Sequence, residues 1–202
     1  MTMSALSSFP IPPLTFRKAR AEEAARLARL VNSAYRGESS RAGWTTEADL
    51  LDGQRTDERE IRQLIESPDA MILLCLQADE VVGSVLLQRN GEAAYLGMFV
   101  VRPDLQGRGI GKRFLEAAER AARQAWDVRR ITMSVITLRE ELLAFYERRG
   151  YRRTGEILPF PDDPAAGIPR VPNLRFEMLE KELANDSHSE ESFMSRDDAR
   201  KE

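Results

Sequence analysis

Residues 93–125 read Ala-Ala-Tyr-Leu-Gly-Met-Phe-Val-Val-Arg-Pro-Asp-Leu-Gln-Gly-Arg-Gly-Ile-Gly-Lys-Arg-Phe-Leu-Glu-Ala-Ala-Glu-Arg-Ala-Ala-Arg-Gln-Ala. Residues 95–101 are apolar and β-prone and stop at Arg102-Pro103, so they predict a buried strand. Pro103 has no N–H to give a ladder and ends that strand. After the glycine loop, Ile110, Phe114, Ala118, Ala121 and Ala125 recur near a helical period and form one apolar face. Strand, glycine loop and helix in this order present unpaired backbone N–H groups to a phosphate. Gly107, Gly109 and Gly111 carry no Cβ, so an anion can approach the backbone closely. The helix dipole adds partial positive charge there, and Arg108 and Lys112 add full charges.

The spacing narrows the choice of phosphate ligand. A dinucleotide fingerprint needs Gly-x-Gly-x-x-Gly and an acidic residue for the ribose, whereas this loop reads Gly-x-Gly-x-Gly. A Walker loop closes with Gly-Lys-Ser/Thr, but Arg113 follows Lys112 and offers magnesium no hydroxyl. Residues 106–111 instead resemble the (Gln/Arg)-x-x-Gly-x-(Gly/Ala) signature of the GNAT N-acetyltransferase superfamily, and residues 99–103 look like that family's fourth strand.

Length and composition set the frame. A chain of 202 residues with 42% apolar residues buries one good core, which makes one domain the default. No apolar run approaches the roughly 20 residues of a membrane span. The N-terminus carries no export signal pattern, and the single cysteine, Cys75, excludes an internal disulfide, so a cytoplasmic protein is expected. The chain holds 33 acids and 30 bases; residues 186–202 take six and three of these, leaving 27 of each in the body. A neutral body shows no electrostatic footprint for nucleic acid. The one histidine, His188, lies in the polar tail, which removes histidine triads and histidine metal sites; no metal is expected.

Hydrophobic periodicity predicts strands at 14–19, 71–77, 81–88, 95–101, 130–136, 151–158 and 174–183. Helices are expected at 22–35, 46–53, 57–67, from 110 to about 125, and at 140–149. Asn90-Gly91 marks a hairpin. Residues 36–45 and the stretch 159–172, with five prolines, read as loops. Residues 1–13 are expected to be a flexible N-terminus, 14–184 the domain, and 185–202 a disordered acidic tail. This order matches the GNAT fold. The resemblance implies a single α/β domain whose mixed, mostly antiparallel central sheet splays between its fourth and fifth strands, with flanking helices and acetyl-CoA in the resulting V.

By resemblance, backbone of Phe99, Val100 and Val101 pairs with pantetheine and polarises the thioester, and Gln106, Gly107, Arg108, Gly109, Ile110, Gly111 and Lys112 hold the pyrophosphate. Residues 142–151 look like the family's second signature, Phe-Tyr-x-x-x-Gly-Phe/Tyr. It puts Tyr146 near the cofactor sulfur, where a phenol of ordinary pKa ~10 can protonate a leaving thiolate. The plainer alternative makes Tyr146 a core residue of an amphipathic helix. Arg139 stands where the family often has asparagine, and either contacts cofactor phosphate or pantetheine or sits at a helix start. No strand glutamate is available as base; Glu38, Glu47 and Glu92 are weak candidates and more ordinary as surface charges. In this fold substrate selection falls to segments here represented by Tyr35, Glu38 and Trp44, and by 159–172.

The implied activity is acetyl-CoA-dependent transfer of an acetyl group to a primary amine of a small metabolite, a peptide N-terminus or a lysine, by direct attack on the thioester. Its alternative is a GNAT-fold protein that senses acetyl-CoA and regulates a partner. A plain nucleotide-binding domain is disfavoured by the loop sequence. A homodimer is one allowed assembly.

Overall fold

A computed structural model describes residues 13–43, 45–163 and 166–184. In chain order the elements are β1 (Leu14–Lys18), α1 (Ala24–Tyr35), α2 (Gly37–Ser40), β2 (Leu51–Asp52), α3 (Glu58–Glu66), β3 (Ala70–Gln77), β4 (Glu80–Asn90), β5 (Ala93–Val101), α4 (Ile110–Trp126), β6 (Arg130–Ile136), α5 (Glu140–Glu147), β7 (Arg152–Pro159), β8 (Ile168–Pro169) and β9 (Arg175–Glu182). Seven strands form one sheet in the order β1-β3-β4-β5-β6-β9-β7, and β2 pairs with β8 in a ladder of its own. Every neighbouring pair of the large sheet is antiparallel except β5 with β6.

The core explains the sequence pattern. β3 reads as an unbroken apolar run because both of its faces are covered. On one face, Leu27 and Val31 of α1 and Ile61 of α3 pack with Leu74, Leu86 and Val100. On the other, Phe114, Leu115 and Ala118 of α4 pack with Leu73, Val85, Leu87 and Ile131. Small residues Ala117, Ala118 and Ala122 let α4 lie close to the sheet. Phe114 is fully buried, stacked on Phe16 at 5.9 Å and on Phe99 at 5.3 Å. The start of α3 is fixed by Asp57, whose carboxylate accepts the Glu60 N–H at 2.8 Å.

The sheet is interrupted at one place, between β5 and β6. These strands pair only at Ala93↔Arg130, Ala94↔Ile131 and Tyr95↔Thr132. Beyond Tyr95, β5 stays on β4 and β6 stays on β9, so a wedge opens between them. A bulge accompanies the parting. The β4–β5 register shifts between Ser84 and Leu86, and Met98 takes φ 45°, a left-handed conformation uncommon for a side chain of its size.

Three expectations give way. Residues 46–53 form no helix: Leu50 and Leu51 both turn back onto the Glu47 carbonyl, and Leu51–Asp52 then enters the β2–β8 ladder. Tertiary pairing outweighs a local apolar pattern there. The loop 36–45 contains the single turn of α2, and the proline-rich stretch contributes β8. Strands β3, β4 and β5 each begin one or two residues before the expected boundary. Residues 1–12 and the tail 185–202 lie outside the described residues, within which no helix is long and apolar enough to cross a membrane.

Truncating Phe114 to alanine removes a ring wedged between two others at the centre of the α4 face. Phe114→Ala is expected to lower unfolding stability by about 3–5 kcal/mol in urea titrations, with the native fold retained below the transition.

Candidate active site

Pro103 ends β5, a turn of 3-10 helix follows, and Gly107 (φ 77°) and Gly109 (φ 78°) bend the chain into α4. Gly109 is the N-cap and offers no side chain to the first-turn N–H groups, and that turn holds no acid. A Cβ at Gly107 or Gly109 would meet nothing within 4 Å, so open space lies beside this backbone. Unpaired N–H groups beside open space are an anion site.

A cavity of about 320 Å³ opens at this turn. Phe99 and Val101 line it from β5; Gln106, Gly107, Gly109, Gly111 and Lys112 from the turn and α4; Leu142, Phe145 and Arg149 from α5 and just beyond; and Thr45 from the loop after α2. Gln106 braces the turn, its Nε2 donating to Val101 O at 2.9 Å and to Thr45 Oγ1 at 3.1 Å. Two residues of the motif are not among the lining side chains: Arg108 is exposed and Ile110 is buried in the α4 core; Val100, expected to act through its backbone, buries its side chain under α1.

Arg149 went unread in the sequence. Its guanidinium lies over the Phe145 ring at 3.4 Å, Nη1 donates to Phe145 O at 2.5 Å, and Nε is buried without a partner. Burial, aided by neighbouring Arg148, pushes its pKa down. Such a cation is stabilised by an anion brought to it.

Tyrosines gather around the wedge. Tyr35 donates its hydroxyl to Phe99 O at 3.1 Å, and burial, helped by Glu47, pushes its pKa up to about 12. Tyr95 shares a 2.8 Å hydrogen bond with Ser134, bridging β5 and β6 beyond their last ladder pair. Tyr146 is 4% exposed and packs edge-on against Phe145 and Tyr151. Burial holds its phenol well above the usual tyrosine range, with Tyr35 and Tyr95 adding to the effect and the Arg139 and Arg149 cations opposing it. The ring is thus a core residue packed on Phe145, which lines the cavity, while Tyr146 itself is not among the lining residues.

Arg139 is the N-cap residue of α5, and its guanidinium is already engaged: Nη1 donates to Glu47 Oε1 at 3.0 Å and Nη2 to Thr45 O at 2.7 Å. It ties the 45–47 segment to α5 in place of the phosphate contact expected as one option. Glu47 also takes a hydrogen bond from Arg36 Nη1. Arg36, Glu47 and Arg139 form an ionic triad whose side chains are 6%, 9% and 9% exposed, so Glu47 is no surface charge. Glu38, by contrast, is a solvent-exposed partner of Arg41, and Glu92 is exposed. Trp44 lies outside the described residues.

Residues 29–151 match the acetyltransferase (GNAT) family. The chain belongs to that family. It is therefore an acyltransferase, with acetyl-CoA as the acetyl donor. No curated protein matches it. Solved structures give the same fold at low identity. The ribosomal-protein-S18-alanine N-acetyltransferase from Escherichia coli is 13% identical with a TM-score of 0.62, the match covering 87% of this chain and 98% of that one. The spermidine/spermine N-acetyltransferase SpeG from Vibrio cholerae is 14% identical with a TM-score of 0.60, covering 84% and 95%. The yncA protein from Salmonella typhimurium, solved with its cofactor acetyl-CoA, is 15% identical with a TM-score of 0.63, covering 86% and 96%. The first two are named for different acceptors, so the GNAT fold leaves the acceptor open.

The triad was invisible in the sequence because 36, 47 and 139 share no periodicity and meet only through folding. Removing the charge of Glu47 leaves two buried guanidinium groups facing each other. Glu47→Gln is expected to destabilise the protein by about 3–5 kcal/mol, read as an earlier denaturant midpoint at unchanged slope.

Proposed function

We propose that this GNAT chain is an N-acetyltransferase that moves the acetyl group of acetyl-CoA to a primary amine on a small molecule, a peptide N-terminus or a lysine. The observation that carries the proposal is one cavity bordered by three elements: the glycine turn at the start of α4, the unpaired stretch of β5, and the start and end of α5. The residues fit the donor. The N–H groups of α4's first turn and Lys112 suit the pyrophosphate, and Arg149 adds a second cation. The edge of β5 beyond Tyr95 has no β6 partner and suits an amide-bearing arm.

Acetyl-CoA, when bound, supplies a thioester whose C–S bond breaks as the amine nitrogen bonds to the carbonyl carbon. The nitrogen loses a proton and the sulfur gains one. A backbone N–H of the β5 edge, at Val101 or its neighbour, is suited to hold the carbonyl oxygen as it gains charge. Tyr146 is suited to donate to sulfur, since burial keeps its phenol protonated. The only buried carboxylate among the described residues, Glu47, is tied to two arginines, so the amine's proton goes to water or backbone-held solvent. That lack of a free base also favours a second reading, an acetyl-CoA sensor that turns over weakly or not at all. Thiol release across a panel of amines separates the two: donor binding without release on any amine supports the sensor.

The first reading predicts three outcomes. Tyr146→Phe keeps the ring and removes the proton, so kcat should fall by ~10²–10⁴-fold while acetyl-CoA affinity holds within about twofold. A joint loss of affinity and rate would assign the hydroxyl to cofactor orientation. Gly109→Asp puts a carboxylate at the anion site on a backbone of φ 78° and should weaken acetyl-CoA binding by more than about tenfold in calorimetry. The pH profile should rise into the alkaline range as the amine loses its proton. It should show no descending limb below about pH 10, because a phenol whose pKa is raised stays protonated to higher pH than a free one. A plateau well below pH 7 would reveal an internal base.

A further inference from the structure

Arg36 is 7% exposed, and only one side of its guanidinium is engaged. Nη1 meets Glu47, while Nε and Nη2 are buried with no hydrogen-bond partner among the described residues. Those two atoms form one edge of the guanidinium, the edge that pairs with both oxygens of a carboxylate through parallel N–H bonds. Unsatisfied donors of a buried charge are costly, and folded proteins rarely leave two on one group. Arg139, in the same triad, meets this demand by donating to Thr45 O. Arg36 does not.

The charge balance points the same way. Two guanidinium groups face one carboxylate, all three nine-tenths buried or more, which leaves one positive charge over. A single negative charge would balance it. Nη2 lies against Gly167, where a Cβ would be 3.4 Å from it and 3.1 Å from Asp52 O. Gly167 is followed by β8, held to the β2 segment by two residue pairs and by Arg170, whose N–H donates to Leu50 O and whose Nη1 meets Asp52, and Ile168 is 59% exposed. A ladder that short, with an exposed face, is the kind of element that opens locally. Hydrogen bonds link the triad and its neighbour Tyr35 to the cavity wall. Tyr35, next to Arg36, sits on Phe99 O, and Glu47 connects through Arg139 to Thr45; Phe99 and Thr45 both line the cavity.

We infer that the Nε–Nη2 edge of Arg36, under Gly167, is the receptor for a carboxylate on the acceptor, so that the enzyme acetylates amino acids in preference to simple amines. The inference rests on the N-acetyltransferase reading above. Residues 166–169 lift to admit the acceptor and settle over its carboxylate.

The test uses the full chain, acetyl-CoA and a panel of α- and ω-amino acids, each paired with the amine that lacks only the carboxylate. For the accepted amino acid, kcat/KM should exceed that of its paired amine by about 10²-fold, the scale of a buried charge-assisted pair. Arg36→Lys keeps a positive charge against Glu47 and removes the two-donor edge. It should bring the ratio to within about tenfold of unity while the acetyl-CoA dissociation constant stays unchanged. If Arg36→Lys does not fold, inhibition of the wild-type enzyme decides instead: the carboxylic acid lacking the amino group should compete with the acceptor, and its methyl ester should not. Simple amines accepted as well as or better than their amino acids would overturn the inference and leave the N-acetyltransferase reading standing. So would an undiminished ratio in a folded Arg36→Lys. Acetyl-CoA bound but no amine of either series acetylated would remove that reading, and this inference with it.

Discussion

β5 and β6 hold each other through three parallel pairs, and beyond Tyr95 their backbones separate. Backbone groups deprived of a ladder must find other partners. Phe99 O takes the Tyr35 hydroxyl and Val101 O takes the Gln106 amide. The Tyr95–Ser134 hydrogen bond spans the gap where the strands begin to part. Each of these side chains comes from a different part of the chain, and each is positioned because the ladder stops. Had the pairing continued, β6 would occupy the β5 edge that now borders the cavity.

Charge is distributed around this opening with economy. The first turn of α4 holds no acid, so the helix dipole and Lys112 act unopposed. Arg149 is held by a ring and a carbonyl in place of a carboxylate, which leaves its charge available to the cavity. On the far side of Thr45, the Glu47 carboxylate is bonded to two arginines, Arg36 and Arg139. Positive charge therefore stands on both sides of Thr45, and among the described residues the one buried carboxylate is taken up by arginines.

Much of this is legible in the sequence. The strand, proline, glycine turn and helix of residues 95–125 appear as read, because local signals agree there with the global fold. Residues 46–53 mislead for the opposite reason: the apolar spacing is helical, but Leu51 is buried against Ile136 and Leu174 and its backbone pairs with β8. The site divides along the same line. Residues that lie together in sequence, Gln106 to Lys112, gather around one cavity, apart from Arg108 and Ile110, which helical and loop geometry turn outward and inward. Thr45, Arg36 and Arg149, and the buried setting of Glu47, escape such a reading because no periodicity links residues that meet only across the fold. Arg149 alone leaves a trace, standing within the 142–151 segment that carries Tyr146.

The position of β9 in the sheet has a further consequence. The chain makes β6, then α5 and β7, and only afterwards β9, which inserts between β6 and β7 and pairs with both. The half of the sheet from β1 to β5 assembles around two consecutive hairpin connections, β3–β4 and β4–β5. The other half has no such local route. Until the last strand leaves the ribosome, β6 has only its three pairs with β5, and β7 has no partner strand. A truncation that removes β9 takes away that arm of the cleft and leaves the other half of the sheet a folding unit with its cleft open to solvent.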